Sequence, residues 1–146
     1  MTSELSVHAV HLGGMRVLAE SGEHRVLTDY PLPAGRTVEG LTSLELLLAS
    51  LATCAANSVI AILQRKMNQP VAGLEIFASG ERRAEHPTVL TRITLEFVVK
   101  GAVDPDAVAK AVAISEEQLC PVWNMLKAGT PITASFRIVK DSLVQA

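Results

Sequence analysis

The sequence is short of aromatic residues, of charge and of cysteine, and each shortage narrows what the chain can be. Aromatic side chains make up 3% of its 146 residues and charged ones 19%, against roughly 25% charged in an average domain. With 49% apolar residues, folding leaves apolar surface over, and association with a second copy is a natural use for it. The net charge is −2, and Arg65-Lys66 and Arg82-Arg83 are the only adjacent basic pairs. No basic stripe is present to follow a phosphate backbone, so nucleic acid is not an expected partner. The opening MTSELSVHAVHLGG has an early acidic residue and no long apolar block, so no export signal is expected and the chain is read as cytoplasmic. His8 and His11 are three apart in a β-like run and would point to opposite faces; with no usual ligand spacing elsewhere, no metal is expected.

A chain of this length is expected to form a single domain spanning residues 1–146. Three short β-like runs open it: Leu5 to Leu12, Met15 to Glu20, and His24 to Tyr30, punctuated by Gly13-Gly14 and Ser21-Gly22. A loop, PLPAGRTVEG, leads to a long helix whose start carries a capping box, Thr42-x-x-Glu45, and whose stop is set by Asn68-Gln69-Pro70. Two strands follow, within Val71 to Arg82 and from Thr88 to Lys100, the second with Ile93, Leu95, Phe97 and Val99 alternating with Thr94, Glu96 and Val98. Asp104-Pro105 caps a second helix with an apolar stripe of Ala107, Val108, Ala111, Val112 and Leu119. Cys120-Pro121 restarts a short helix that Gly129 closes, and PITASFRIV forms a last strand. Grouped, hairpin-linked strands between helices predict an α+β fold with largely antiparallel sheet.

The long helix is the most unusual element. From Leu46 to Leu63 it runs eighteen residues without a charge, which satisfies the length rule for a membrane span. Against a span stand Ser50, Thr53, Asn57 and Ser58, five alanines in the eighteen, and no flanking aromatic belt. A helix apolar on every face is otherwise covered on every face by protein. One small sheet covers one side, so the expectation is no membrane and an intimate homodimer with this helix at its centre.

Both cysteines fall at informative places. Cys54 lies about ten residues into the apolar helix, and Cys120 lies at the start of a helix, where partial positive charge offers a route to a lowered thiol pKa. Residue pattern alone leaves open whether they are reactive or simply small core residues.

TSLELLLASLATC, followed after the strand pair by AVAISEEQLCPVWNML, resembles the OsmC/Ohr family of thiol-dependent peroxidases. The likeness covers nearly the whole chain, and the short length, the SGERR hairpin and the helix start are more similar to its OsmC-like branch. The resemblance implies an OsmC-like fold in which antiparallel sheets wrap a long central helix in an intertwined homodimer. It implies a two-cysteine peroxidase acting on organic hydroperoxides: Cys54 becomes a sulfenic acid, Cys120 resolves it as a disulfide, and an external dithiol regenerates the pair without any bound cofactor.

Family chemistry also uses an arginine from the N-terminal strands and a glutamate near the start of the cysteine helix. Arg16 matches the first, with Arg36 as a second choice. The glutamate of the hydroperoxide-resistance branch stands ten residues before the cysteine, where this chain has Leu44. Glu45 is nine before, which on an ideal helix of about 100° per residue faces away from Cys54. It either serves a partner's site or closes the capping box with Thr42. Ser43 replaces the family's helix-start proline, a change compatible with a helix start. Trp123 is placed to wall the thiol pocket or to fill the core, Asn57 to bond the pocket or a partner helix, and Glu116 and Glu117 are read as solvated. A different class remains open: a non-enzymatic dimeric OsmC-like protein that binds a small apolar ligand or senses redox state. A third is a structural dimer with inert cysteines.

Overall fold

A computed structural model describes residues 2–140 and divides the chain into two compact units, the first ending at Leu47 and the second beginning at Leu48. In the first unit β1 (His8–Gly13), β2 (Arg16–Ser21) and β3 (His24–Thr28) form an antiparallel sheet in sequence order. Ser21 pairs with His24, so the connecting turn is two residues long, and Gly22 opens it at φ 60°, a conformation that a side chain disfavours. The sheet has almost no core of its own: among the described residues up to Leu47, Asp29 alone is buried. Seven large apolar side chains of this unit (Leu5, Val7, Leu12, Met15, Leu32, Val38 and Leu41) are exposed.

The long helix α1 (Ser43–Ala61) starts where the capping box predicts and ends in a π-helical turn, Ile62–Lys66. Thr42 N–H donates to Glu45 Oε1 at 2.8 Å and Glu45 N–H to Thr42 Oγ1 at 3.2 Å, so each residue satisfies the other's orphan donor. Leu51, Ala55, Val59, Ile62 and Leu63 are buried at 0–1% exposure, a stripe of helical spacing. The segment Ser43–Lys66 is long and apolar enough to cross a membrane by length and composition, and 28% of its apolar window is buried within one chain.

The second unit holds β4 (Gly73–Arg82), β5 (Leu90–Lys100), α2 (Pro105–Ile114), α3 (Pro121–Leu126) and β6 (Ile132–Val139), with sheet order β4-β5-β6. Ile93, Leu95, Phe97 and Val99 of β5 are buried at 0–1% exposure, as their alternation predicts, but Val98, expected on the other face, is buried as well, so both faces are covered at the end of the strand. β4 and β5 are antiparallel, whereas β6 runs parallel to β5. The sheets are thus largely antiparallel as expected, three of the four described strand pairs being so, and the one parallel pair has the long crossover that parallel neighbours need, supplied by α2 and α3. Gly101 closes β5 at φ 124°, and a Cβ there would meet Pro70 O at 2.5 Å, so this turn tolerates no side chain. The mixed α+β architecture is the fold expected from sequence.

Asp104 caps α2 by accepting from Asp106 N–H at 3.0 Å, with Pro105 in the first turn. Its buried stripe runs Ala107, Val108, Ala111 and Ser115, then departs from the expected pattern. A π-helical turn, Ser115–Leu119, widens the helix, and Cys120 N–H bonds to Ser115 O at 2.8 Å. The extra residue carries the buried position from Leu119, which is 42% exposed, to Cys120, which is 1% exposed.

Candidate thiol site

Cys54 and Cys120 are brought together in the second unit. Cys54 comes from the middle of α1 and is half-buried; Cys120 comes from the junction between the π-helical turn and α3 and is buried. Both are free thiols, and Cys54 is near enough to Cys120 to bear on its ionisation. Cys120 is also the N-cap of α3, where its sulfur accepts Trp123 N–H at 3.4 Å.

Two influences on the Cys120 thiol therefore compete. Burial and the neighbouring Cys54 thiol favour the neutral form and outweigh the Trp123 and Val122 backbone N–H groups, which favour a thiolate, pushing its pKa up to about 11. The lowered pKa expected from the helix start is corrected accordingly. A helix of six residues has a small dipole, and removing a sulfur anion from water costs more than that dipole returns. Trp123 lies under the thiol as core: it is fully buried and stacks on Phe97 with ring centroids 6.2 Å apart. Asn57 is exposed one turn beyond Cys54, and Asn124 Nδ2 caps Glu117 O.

The charged groups considered for the thiol site, Arg16, Arg36 and Glu45, lie in the first unit; Arg16 pairs with a residue the sequence reading did not single out, whereas Glu45 takes one of its two expected roles and closes the capping box with Thr42. Arg16 meets Glu39, with Nη1 to Oε2 at 3.2 Å, and both side chains are largely solvated. Glu45 is engaged by Thr42, whose backbone N–H and hydroxyl hold its carboxyl below the ordinary glutamate value. Sequence reasoning missed Glu39 because the pair spans 23 positions with no shared helix or periodicity to signal it.

Arg36 is used elsewhere. Its Nη2 meets Asp29 Oδ1 at 2.5 Å and Tyr30 O at 2.6 Å, while Nε reaches Leu32 O at 3.1 Å. Asp29 also accepts Tyr30 N–H and Glu39 N–H, at 2.8 and 3.0 Å. This buried carboxylate therefore folds the 29–40 loop around itself and fixes the backbone of Glu39, the partner of Arg16. The Arg36 guanidinium and the Glu39 N–H hold the Asp29 carboxyl well below the usual carboxylate range. A depressed folded-state pKa contributes stability above the unfolded value of about 3.9 that drains away as pH falls. The urea midpoint of the natural protein should exceed that of Asp29→Asn at pH 7, and the gap should shrink as pH falls below about 4. An equal gap at pH 7 and pH 3 would show that the charge on Asp29 has no part in it.

Among the described residues no group of three His, Cys, Asp or Glu side chains converges as a metal site would require. His11 Nε2 bonds locally to Gly14 O at 2.9 Å.

The family model for OsmC-like proteins matches residues 35–135, more than two thirds of the chain. The chain belongs to the OsmC-like family. This OsmC-like chain is 37% identical to Protein YhfA of Escherichia coli K12 over 129 residues, 86% of this chain and 92% of that one. The OsmC-like protein of Mycoplasma pneumoniae superposes with a TM-score of 0.84 at 20% identity, covering 95% of this chain and 99% of that one. The organic hydroperoxide resistance protein OhrB of Bacillus subtilis superposes at 0.64 with 18% identity, over 92% and 98% of the two chains. At these identities the two structures show the fold.

Proposed function

We propose that the chain is a cytoplasmic, homodimeric, thiol-dependent hydroperoxide reductase in which Cys54 attacks the peroxide and Cys120 resolves the product. Membership of a family with members named for organic hydroperoxide resistance supports the class of reaction. The observation that carries the assignment of roles is the asymmetry of the thiol pair. Cys54 is half-buried, so a peroxide can reach it, while Cys120 is buried and held protonated. Only a thiolate is a good nucleophile, so the buried, protonated Cys120 is the poorer first attacker and the half-buried Cys54 the better one.

In the first step Cys54 Sγ bonds to the terminal peroxide oxygen as the O–O bond breaks. The sulfur is oxidised to sulfenic acid, the peroxide is reduced, and the departing alkoxide takes a proton to leave as an alcohol. In the second, Cys120 gives up its proton and its sulfur attacks Cys54 Sγ, forming the S–S bond and breaking S–O. Hydroxide leaves with that proton as water. An external dithiol then reduces the disulfide by two exchanges, so no bound cofactor is needed. The resemblance implies an organic peroxide as substrate, in keeping with the apolar sequence of α1 on either side of Cys54.

The homodimer is proposed from the surface each chain leaves bare. The first unit exposes seven large apolar side chains, and most of the apolar window of α1 is unburied. A second copy covering both would remove that surface from water without a membrane. The resemblance assigns an arginine to the thiolate, and Arg16, held by Glu39, is the proposed donor. The use of Glu45 in the helix cap favours a second reading, a redox-responsive dimer that turns peroxide over slowly.

Turnover of cumene and tert-butyl hydroperoxide under excess dithiol, beside hydrogen peroxide, tests the proposal. The expected result is reduction of the organic peroxides at least about tenfold faster than of hydrogen peroxide, by a species that sediments as a dimer. Absence of turnover with every peroxide would overturn the enzyme reading, and a monomer would overturn the assembly.

A further inference from the structure

Three polar or charged residues are buried among the described ones: Asp29, Lys100 and Ser115. Asp29 is held by Arg36, and Lys100 reaches Glu75 at 3.4 Å, both within their own local structure. Ser115 is different. Its hydroxyl meets that of Ser58 at 2.5 Å, 57 positions away on α1. Ser58 lies four residues beyond Cys54, on the same face of that helix. Ser115 opens the π-helical turn that delivers Cys120, and its carbonyl receives the Cys120 N–H at 2.8 Å.

The direction of the bond follows from the other partner of Ser58. Ser58 Oγ lies 3.1 Å from Ala55 O, and a carbonyl can only accept, so the Ser58 proton goes there. Ser115 is then the donor across to Ser58, and its buried hydroxyl is satisfied. Ser115 therefore ties the two segments together, its side chain bonded to Ser58 in the turn of α1 after Cys54 and its backbone carbonyl to the N–H of Cys120.

We propose that Ser58 and Ser115 are positioning residues that hold Cys120 against Cys54 so that the disulfide closes. This rests on the reading of the two cysteines as a disulfide-forming pair. Disulfide geometry is demanding, with Cα atoms about 4.4–6.8 Å apart and a fixed torsion, so the effective concentration of one thiol at the other depends on how firmly the two segments are registered. The Ser58–Ser115 bond is the side-chain hydrogen bond that fixes that register. It touches neither sulfur, so it acts on closure and leaves the attack on peroxide alone.

The test is equilibration of the whole protein with glutathione and glutathione disulfide, reading the fraction of Cys54–Cys120 disulfide by thiol trapping. Stopped-flow measurement of sulfenic acid and disulfide formation with cumene hydroperoxide runs beside it. Ser115→Ala and Ser58→Ala are expected to lower the effective concentration about tenfold and to slow closure similarly, with sulfenic acid formation changed less than about twofold. Ser58→Thr, which keeps the hydroxyl at a half-buried position, is expected to restore both. Where a single variant fails to fold, Ser58→Ala/Ser115→Ala removes donor and acceptor together and leaves no orphaned hydroxyl. A disulfide as favourable in the variants as in the natural protein would overturn the positioning role and leave the peroxidase reading standing. A natural protein that forms no Cys54–Cys120 disulfide in glutathione would overturn both. A natural protein that forms it reversibly yet reduces no peroxide would remove the peroxidase reading alone, and the shift in the serine variants would then support the positioning role.

Discussion

Replacing Cys54 with serine should abolish hydroperoxide reduction, whereas replacing Cys120 should leave a protein that reacts once and stalls with sulfenic acid on Cys54. The two losses look alike in a steady-state assay and differ in a single turnover. The reason lies in the environments of the sulfurs: Cys54 is half-buried, and Cys120 is 1% exposed with its pKa pushed up to about 11 by burial and by Cys54. In Cys54→Ser the remaining thiol is thus protonated at neutral pH and screened from peroxide, so neither turnover nor rapid alkylation by iodoacetamide is expected. In Cys120→Ser the nucleophile survives, and one equivalent of cumene hydroperoxide should be consumed per chain and trapped by dimedone. Stability carries the same signature. A group whose folded pKa is raised keeps its contribution below the unfolded value and loses it as pH rises, so the reduced protein should weaken between about pH 8.5 and 11. Rapid alkylation of Cys120 at pH 7 in Cys54→Ser would reverse the assignment of roles.

The parts of this fold that were legible in the sequence are those in which local chemistry and tertiary structure agree. The capping box at Thr42 and Glu45 is satisfied by contacts three residues apart, and the β5 alternation survives from Ile93 to Phe97, where one face meets the core, and is lost from Val98, where both faces are covered. The residue pattern left the reactivity of the two cysteines open and only the family resemblance implied it, and the balance of forces on Cys120 was not visible in the sequence. The short-helix dipole is visible in the sequence, while the burial that overrides it comes from elements distant in sequence. The π-helical turn explains a specific error. A stripe extrapolated at 3.6 residues per turn ends on Leu119, but the turn inserts a residue, exposes Leu119 and buries Cys120 in its place. No residue type announces such a turn. The parallel pairing of β6 and the Arg16–Glu39 pair are equally invisible locally, because each depends on a crossover or loop that returns the chain to an earlier element.

The packing beneath Cys120 rests on one large buried side chain, and Trp123→Ala should cost about 3–5 kcal/mol. Trp123 is fully buried, it begins two residues after α3's first proline, and its ring stacks on Phe97 of β5 at an interplanar angle of 21°. Against a typical domain stability of about 5–15 kcal/mol, a loss of this size leaves a marginal protein. The indole adds a separate term. Its Nε1–H is buried with no hydrogen-bond partner among the described groups, so the native residue already bears an unsatisfied donor. Trp123→Phe removes that donor while keeping an aromatic face for Phe97, and its cost should fall to about 1–2 kcal/mol. Neither change deletes the Trp123 backbone N–H that reaches Cys120 Sγ, so the thiol's capping bond is retained wherever the protein folds. Urea unfolding of the three proteins, at one protomer concentration because association shifts the midpoint, measures both steps. Equal costs for alanine and phenylalanine would show that the ring does no packing work on β5, and the stacked arrangement beneath the thiol would then not be what fixes α3 to the sheet.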